Sequence, residues 1–485
     1  MTTTPVMPTV ADLVPVVPEL FLVTATFALL VADLFVPQHR RALTHYLAIA
    51  ILAVTGWLAV GVGAEPGIAF GGMVVRDLAG DVMKAVICGV GILSFLYAKP
   101  YLVDRKLFKG EFHLLVLLSI LGMLLLVSSG NLVMVYLGLE LMALSTYALV
   151  AMDRDSARAS EAAMKYFVLG ALASGMLLYG MSMIYGATGS LDLAQIYSVA
   201  AAGGDQRLLL FGVVFVLTGV AFKFGAAPFH MWIPDVYHGA PTAITVFIGS
   251  APKLAAFGMA YRLLESGAGP VAVYWQDAVA WLAVLSLVIG NLLALAQANL
   301  KRMLAYSTVS HVGFLFLGLA AATPEGYASA MFYAISYAVM ATASFGAIVL
   351  LSRQGFEAER IDDFKGLNQR SSWHAWMVML VMASLAGVPP LLGFWAKLAV
   401  LRAAVGADML WLAIVGIVFA VVGAYYYLRV IKVMFFDAPV HGLDVLPHPD
   451  RPLRAVFTVN AFGLLVLGIF WSPLMAWCQR AFAGS

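Results

Sequence analysis

Long apolar runs dominate the chain, and short polar segments separate them. About fourteen of these runs reach the ~20 apolar residues that a helix needs to cross the hydrocarbon core of a bilayer. Each run is continuously apolar, whereas the strands of a membrane barrel alternate apolar and polar residues. The pattern therefore predicts an all-α, polytopic membrane protein with about 14 transmembrane helices. The runs are centred near residues 26, 53, 87, 121, 141, 173, 216, 251, 285, 311, 338, 388, 420 and 464.

Prolines interrupt two of the runs at membrane depth, the seventh at Pro228 and the twelfth at Pro389 and Pro390. Lipid cannot satisfy the backbone groups that a break frees, so broken helices line cavities or the protein interior. The breaks are five spans apart, and because five is odd, two tandem five-helix units must be inverted relative to each other. Inverted repeats with broken helices are a transporter architecture. The predicted units are an N-terminal three-helix segment (1–110), a first repeat of helices 4–8 (111–271), a second repeat of helices 9–13 (272–436) and a C-terminal helix (437–485).

Composition and charge agree with this class of protein. The 485 residues are 62% hydrophobic and 11% charged, which excludes a soluble globular domain, and the net charge of +2 gives no reason to expect nucleic acid. If both termini are placed outside, 18 basic residues fall in cytoplasmic loops and 5 in outer ones. This bias predicts an even number of spans with both termini on the side of the membrane opposite the cytoplasm. The N-terminus has no basic n-region, so the first run is expected to remain as a helix.

Five lysines lie inside the predicted spans, where a lysine costs about 2.5–3.5 kcal/mol at the helix centre. Lys84 is about two turns into its span, and snorkelling of its side chain to the surface explains it. Lys165 follows Glu161 by four residues, which allows a structural ion pair on one helix face. Lys223, Lys253 and Lys397 are harder to explain in this way. They must face water or the protein interior, and we predict that they carry protons.

Glu140 is the acidic residue that lies in the middle of a predicted span. Beside a lysine it can ionise, and movement of either partner then changes the proton affinity of the other. A static buried ion pair that only fixes helix packing remains the alternative.

Histidines and cysteines are the remaining candidates for proton-transfer or metal-binding residues. His311 is predicted at mid-membrane beside three hydroxyl side chains, and imidazole can relay protons near neutral pH. His230 and His238 flank the first break, and for all three histidines a structural role is an equal alternative. Their spacing does not favour a metal site. Cys88 and Cys478 lie far apart without a CxxC context, which excludes an iron–sulfur or zinc site built from this chain's thiolates.

Five stretches carry a resemblance to a known family: "YLGLELMALSTYALVA", "EAAMKYFVLGALASG", "FKFGAAPFHMWIPDVYHGAPT", "APKLAAFG" and "KRMLAYSTVSHVGF". In this order they closely resemble the antiporter-like subunits of respiratory complex I, over essentially the whole chain. Two features favour one particular member: the end at Ser485 just after the fourteenth span, and Lys397 where another member typically carries glutamate.

The resemblance implies a proton-translocating subunit of NADH:quinone oxidoreductase, a translocase without a redox centre in this chain. FMN, iron–sulfur clusters and quinone are then expected in partner subunits. The expected partners are a neighbouring antiporter-like subunit, small membrane subunits and membrane lipids. By motif, the resemblance implies that Glu140 pairs with Lys223, Lys165 lies near that glutamate, Lys253 belongs to the central polar axis, His311 connects the halves, and Lys397 ends the second half-channel.

Other functions are compatible with parts of the pattern. A relative in another assembly, such as a multisubunit cation/proton antiporter or a membrane-bound hydrogenase, would share these motifs. A passive scaffold would use the same charges only to hold helices together. An independent solute transporter is less favoured, because the intramembrane chemistry is only of proton size.

Overall fold

A computed structural model describes residues 13–61, 66–203, 206–439 and 451–483. Its α-helices are α1 Val17–Asp33, α2 Ala42–Gly61, α3 Leu78–Asp104, α4 Gly110–Val127, α5 Leu132–Val150, α6 Ala157–Thr188, α7 Leu193–Ala201, α8 Gln206–Phe224, α9 Trp232–Gly239, α10 Thr242–Ile248, α11 Ala251–Leu264, α12 Ala272–Leu295, α13 Leu300–Ala320, α14 Pro324–Leu351, α15 Leu367–Arg370, α16 Ser372–Ala386, α17 Leu392–Gly406, α18 Leu410–Phe436, α19 Arg451–Ile469 and α20 Trp471–Phe482. Short 3₁₀ helices cover Val14–Val16, Gln38–Arg40, Phe70–Gly72, Gly269–Val271 and Ile361–Phe364.

The number of membrane spans agrees with the sequence pattern. In the described part of the chain, 13 helical stretches are long and apolar enough to cross a membrane. The remaining predicted span consists of α16 and α17, which are 15 residues each and separated by a break. The last predicted span, α19, is followed by a further helix, α20, that the sequence prediction of one C-terminal helix did not contain. Residues 440–450, in the polar connection before α19, lie outside the described residues.

The first predicted break separates α8 from α9. Helix α8 ends at Phe224, and Gly225 follows with φ of +74°, a left-handed conformation that a side chain would strain. A Cβ at this position would also lie only 1.8 Å from Ile233 Cδ1. The Ala227–Pro228 bond is cis, and the freed Ala227 N–H donates to Ser286 Oγ at 2.9 Å.

The second predicted break, between α16 and α17, has the same order of features. Helix α16 ends at Ala386, and Gly387 adopts φ of +88°. The Pro389–Pro390 bond is cis, and α17 begins at Leu392. Both predicted breaks are therefore confirmed, and each half-helix ends at a left-handed glycine.

A third break lies inside the eighth predicted span and was not expected. Ser250 has φ of −119° and ψ of −83°, which ends α10 and separates it from α11. Pro252 occupies the first turn of α11, where its missing N–H is not needed. A proline at this position starts one helix and prevents the preceding helix from continuing through it.

Helices α10–α11, α13 and α14 form the centre of the molecule. The most apolar windows of these spans are 100%, 94% and 94% buried, whereas those of α2, α18 and α19 are each 33% buried. Helix α14 packs against α3, α10, α11, α13, α16, α17, α19 and α20. A side chain on α11, α13 or α14 is therefore shielded from lipid on nearly every side.

One short antiparallel hairpin interrupts the helical fold. Strands β1 (Gly67–Ala69) and β2 (Val74–Arg76) pair with Ile68 opposite Val75. Asp77 then caps α3 by accepting a hydrogen bond from the Gly80 N–H at 2.8 Å. Below, the basic side means the side with the many basic loops, where α13 begins, and the opposite side is the one where α14 begins.

Candidate functional site

Glu140 lies on α5 and Lys223 lies on α8, and Tyr147 on α5 connects their surroundings. Lys223 is 8% exposed and lies in the last turn of α8, with its Nζ 5.9 Å from the centre of the Tyr147 ring. Tyr147 and Glu140 share one face of α5, seven residues apart. Among the described residues no ion pair within 4.0 Å joins Glu140 to Lys223. Glu140 Oε1 is buried without a hydrogen-bond partner.

Lys253 binds the end of the helix that carries Lys223. It is 1% exposed, and its Nζ donates to the carbonyl oxygens of Phe224 at 2.8 Å and Lys223 at 3.4 Å. These are last-turn carbonyls that have no partner within their own helix. The Trp232 ring covers the ammonium at 4.9 Å from its centroid. The break at Gly225 thus creates the binding position of the next lysine along the chain.

Lys397 repeats this arrangement at the second break. Its side chain is 7% exposed, and Nζ donates to the carbonyl oxygens of Leu385 at 3.0 Å and Ala386 at 2.9 Å, at the end of α16. A Cβ on Gly387 would lie 3.0 Å from Lys397 Cδ. Glycine is therefore needed there both for its positive φ and for the space that the lysine side chain occupies. The Phe314 ring lies 5.1 Å from Nζ.

His311 lies between these sites, in a network of hydroxyl groups. It is 3% exposed, and its ring nitrogens contact two tyrosines: Nδ1 lies 2.6 Å from Tyr333 Oη, and Nε2 lies 3.1 Å from Tyr427 Oη. Tyr427 Oη also bonds Ser307 Oγ. A neutral imidazole donates from one nitrogen and accepts at the other, and each hydroxyl can do either. The network can therefore pass a proton by reversing its hydrogen bonds.

Aromatic side chains with hydroxyl groups occupy the space between Lys253 and His311. Tyr237 packs edge-on against Trp232, which covers Lys253, and against Phe345 on α14, the helix that also carries Tyr337. Tyr337 donates to Thr308 Oγ1 at 2.8 Å, and its ring centre is 5.0 Å from that of His311. Between His311 and Lys397, the Phe314 ring lies 5.1 Å from Lys397 Nζ and stacks on Tyr333, which contacts His311. The structure therefore places Lys223, Lys253, His311 and Lys397 along one buried line, with the half-buried Glu140 at its start.

Comparison with known protein families assigns the chain to one of them. The family model described as NADH:quinone oxidoreductase/Mrp antiporter, TM, matches residues 129–423. The chain belongs to this family. The matched segment contains all six residues that the sequence marked for proton transfer.

Full-length relatives and a solved structure agree with the family assignment. NADH-quinone oxidoreductase subunit N of Xanthomonas euvesicatoria pv. vesicatoria (strain 85-10) is 61% identical over 487 residues, covering 100% of both chains. The subunit N of Thioalkalivibrio sulfidiphilus (strain HL-EbGR7) is 51% identical, covering 96% of this chain and 98% of the relative. A chain of respiratory complex I from Thermus thermophilus with bound aureothin is 30% identical with a TM-score of 0.81, covering 95% of this chain and 98% of that one. The resemblance inferred from the motifs is thereby confirmed.

Lys165 lies away from the buried line that the other five residues form. Its Nζ makes ion pairs with Glu161 Oε1 at 2.8 Å and with Asp235 Oδ2 at 2.9 Å, and its side chain is 44% exposed. Asp235 in turn pairs with Arg302 at 3.0 Å. These contacts favour the predicted i,i+4 ion pair with Glu161 over a position of Lys165 beside Glu140. Asp235 and Arg302 extend the ion pair to α9 and α13.

The snorkelling explanation for Lys84 is wrong. Its side chain is 0% exposed, and Nζ lies 2.7 Å from Glu19 Oε1 and 3.8 Å from Asp81 Oδ1. Asp81 also pairs with Arg76 at 3.0 Å. Glu19 lies near the start of α1, far from α3 in sequence, so no local pattern could have revealed the partner. Lys84 is a buried ion-pair residue.

Sequence reasoning also missed one buried lysine and the tyrosines around His311. Lys301 is 1% exposed, and its Nζ donates to Ala240 O at 2.7 Å, just beyond the end of α9. In the sequence it reads as one more basic residue of a loop, because Arg302 follows it. Tyr333 and Tyr337 are four residues apart on α14, and this spacing on one helix face was the available signal.

The remaining candidates, two histidines and two cysteines, lie outside the buried line. His238 Nε2 lies 3.2 Å from Asn299 Nδ2 and 3.5 Å from Glu359 Oε2, on the basic side. His230 Nδ1 is buried without a hydrogen-bond partner. Cys88 and Cys478 are free and buried. Within the described ranges, no group of three or more His, Cys, Asp or Glu side chains could hold a metal ion.

Proposed function

We propose that this chain conducts protons across a bacterial inner membrane as the subunit N of a proton-translocating NADH:quinone oxidoreductase, with both termini periplasmic and the basic side cytoplasmic. Its partners are the neighbouring antiporter-like subunit and small membrane subunits. The division into a three-helix segment, two inverted five-helix repeats and a C-terminal unit belongs to the same proposal. The repeated arrangement of half-helix, left-handed glycine and carbonyl-bound lysine supports the division.

One observation carries the assignment: Lys253 and Lys397 are held by carbonyl oxygens instead of carboxylates. Among the described residues, neither has an ion pair within 4.0 Å. A neutral amine can still donate to a carbonyl, so both protonation states keep these hydrogen bonds. A buried lysine that serves only packing is expected to pair with a carboxylate. If that lysine lost its proton, the carboxylate would remain charged and unpaired, which is unfavourable. The carbonyl sites are suited to groups that gain and lose protons.

The proposed route follows the buried line. A proton from the basic side reaches Lys223, passes to Lys253, crosses the hydroxyl network around His311 and reaches Lys397, from which it leaves on the opposite side. Glu140 acts on Lys223 through space, so a change in their separation alters how readily Lys223 takes or gives a proton. Lys165, with its exposed ion pairs, contributes charge near the point of uptake.

The energy for transport comes from partner subunits. Moving one charge against the membrane potential needs about 2.3 kcal/mol per 100 mV. We infer that oxidation of NADH and reduction of quinone, with FMN and iron–sulfur clusters, take place in those subunits. This chain then responds to their chemistry through the position of its charges.

The test uses inverted membrane vesicles that contain the assembled complex, with NADH-driven proton uptake as the readout. Glu140→Gln, Lys223→Ala, Lys253→Met and Lys397→Ala should each lower proton uptake while the complex still assembles. Lys432→Ala is the matched control, because that lysine is 62% exposed and pairs with Asp437. Unchanged uptake in all four variants would favour the passive scaffold. Neighbouring genes for other assemblies, such as a cation/proton antiporter, would contradict the NADH-linked assignment but not the proton path.

A further inference from the structure

A groove opens on the opposite side of the molecule, between α14, α17 and α20. Its polar lining consists mainly of Glu325 and Ser329 on α14, Trp395 and Arg402 on α17, and Gln479 on α20, with Trp471 beside them. None of these residues belongs to the proposed proton path. Lys397 is on α17 as well, but it points to the end of α16, whereas Trp395 and Arg402 lie on another face of the helix.

Two polar atoms in the wall of the groove have no partner. Ser329 Oγ and Trp395 Nε1 are both buried without a hydrogen bond, and Ser329 is 1% exposed. Buried hydroxyl and indole N–H groups almost always have a partner, because an unmade hydrogen bond is costly. The Trp395 ring stacks on Trp471 with ring centres 4.6 Å apart, which fixes the direction of its N–H. Both residues line the groove, so a molecule bound there is the candidate partner for a rigid donor and a hydroxyl.

Opposite charges stand at the rim of the same groove. Glu325 and Arg402 are both exposed. Among the described residues, neither has an ion pair within 4.0 Å. One free carboxylate and one free guanidinium on a single groove complement a ligand that carries both charges. A purely anionic ligand would be repelled by Glu325.

The charged and uncharged groups lie at different depths. Seven residues separate Trp395 from Arg402, which is about 10 Å along the helix. Helix α17 begins at the break inside the membrane and runs to the surface, so Arg402 lies in the interfacial region and Trp395 lies deeper. A glycerophospholipid has the same order, with a charged headgroup outside and ester carbonyls beneath it. Tryptophan is also enriched at this level of membrane proteins.

We propose that the groove binds one aminophospholipid with a zwitterionic headgroup, phosphatidylethanolamine. Glu325 accepts from the ammonium group, and Arg402 and Gln479 donate to the phosphate. Trp395 N–H and Ser329 O–H donate to the ester carbonyls. A choline headgroup lacks the N–H donors that Glu325 would accept from, so ethanolamine is the better fit. Lipid binding at this site is a separate property of the chain and does not depend on the proposed proton transfer.

The experiment is photo-crosslinking in the purified, assembled complex. The probe is phosphatidylethanolamine with a diazirine in its acyl chain, and labelled peptides are mapped by mass spectrometry. Peptides of α17 and α20 should be labelled, and unlabelled phosphatidylethanolamine should compete. Arg402→Gln and Trp395→Phe should each weaken labelling about tenfold, the effect of one lost charge-assisted or buried hydrogen bond. Arg480→Gln is the control, because Arg480 is on α20 but does not line the groove.

Lipid selectivity provides a second readout that does not depend on folding efficiency. A phosphatidylglycerol probe should label the wild-type groove weakly, and Glu325→Gln should raise its labelling relative to phosphatidylethanolamine. Equal labelling by both probes in the wild type would overturn the headgroup assignment. Labelling that stays the same in all groove variants would show an adventitious lipid contact only. Protein–protein crosslinks from these peptides to a partner subunit, without lipid labelling, would show that a protein fills the groove.

Discussion

At the scale of single residues, the end of a half-helix gives a buried lysine a partner without a full negative charge. The last carbonyls of a helix are unpaired and carry roughly half an elementary negative charge. Lys253 at the end of α8 and Lys397 at the end of α16 both use such carbonyls. The left-handed glycine at each break exposes these carbonyls, so the geometry of the glycine and the placement of the lysine are coupled.

Replacement of Gly387 tests this coupling. Gly387→Ala places a Cβ at φ of +88° and 3.0 Å from Lys397 Cδ, so we expect a loss of about 1–3 kcal/mol in stability and reduced proton uptake as the lysine is displaced. Gly406→Ala is the control, because a Cβ there has no neighbour within 4 Å and no positive φ. Thermal denaturation of the complex and NADH-driven proton uptake are the measurements. Normal uptake in Gly387→Ala would show that the lysine position is not critical.

The hydroxyl of Tyr427 is the second residue-scale test. Tyr427→Phe removes the group that joins His311 Nε2 to Ser307, and loss of this relay should slow proton uptake roughly tenfold if it raises the barrier by about 1.4 kcal/mol. Tyr97→Phe is the control, since Tyr97 is also buried and its hydroxyl accepts from Asn460 Nδ2 at 3.2 Å, outside the hydroxyl network around His311. The measurement is the initial rate of proton uptake in vesicles for both variants. Equal rates in the two variants would remove Tyr427 from the path.

At the scale of elements, the sequence located the helices and the two breaks between half-helices well, because prolines and apolar runs are local signals. It missed the break at Ser250, since Pro252 at the first turn of a helix looks the same as a proline tolerated within a span. It identified the intramembrane lysines but misjudged Lys84, whose partner Glu19 is on another helix. In the sequence, Lys301 cannot be distinguished from a basic loop residue. Pairings between distant elements have no local signature, and this limited the prediction of the site.

The contact between α1 and α3 depends on the Glu19–Lys84 pair. Lys84→Met leaves Glu19 buried and uncompensated, which should cost roughly 3–5 kcal/mol and lower the amount of assembled complex. The double variant Glu19→Gln/Lys84→Met removes both charges and should recover most of the assembly and normal proton uptake. Native gels and thermal denaturation measure the first effect, and vesicle assays measure the second. A double variant that assembles but does not pump would place this pair in the proton path.

At the scale of the whole molecule, the loop after α14 contacts helices that are distant from it in the sequence. Glu357 accepts from Tyr101 on α3 at 3.0 Å and from Thr242 on α10. Glu359 pairs with Arg158 on α6 at 2.7 Å. The loop therefore touches α3, α6 and α10, and a 3.5 Å contact between Glu359 and His238 extends it to α9, on the side where protons are taken up in the proposed path. Displacement of the loop would reach the position of α9, and through it the site of Lys253.

The last prediction concerns the pH dependence of this connection. Partial burial acts to raise the pKa of Glu359, but hydrogen bonds from His238 and Arg158 outweigh it and lower the pKa below its ordinary value of 4.5. A lowered pKa in the folded state means that the stabilisation is complete above pH 4.5 and is lost as the pH falls through the folded value. Glu359→Gln should therefore weaken hydrogen-exchange protection of residues 352–366 at pH 7 by about threefold, as expected for a partly exposed pair. The difference between variant and wild type should shrink below pH 4.5. Asp362→Asn is the control, because the Asp362 carboxylate pairs with Lys365 within the loop. Equal protection of the wild type and Glu359→Gln at pH 7 would contradict the proposed connection.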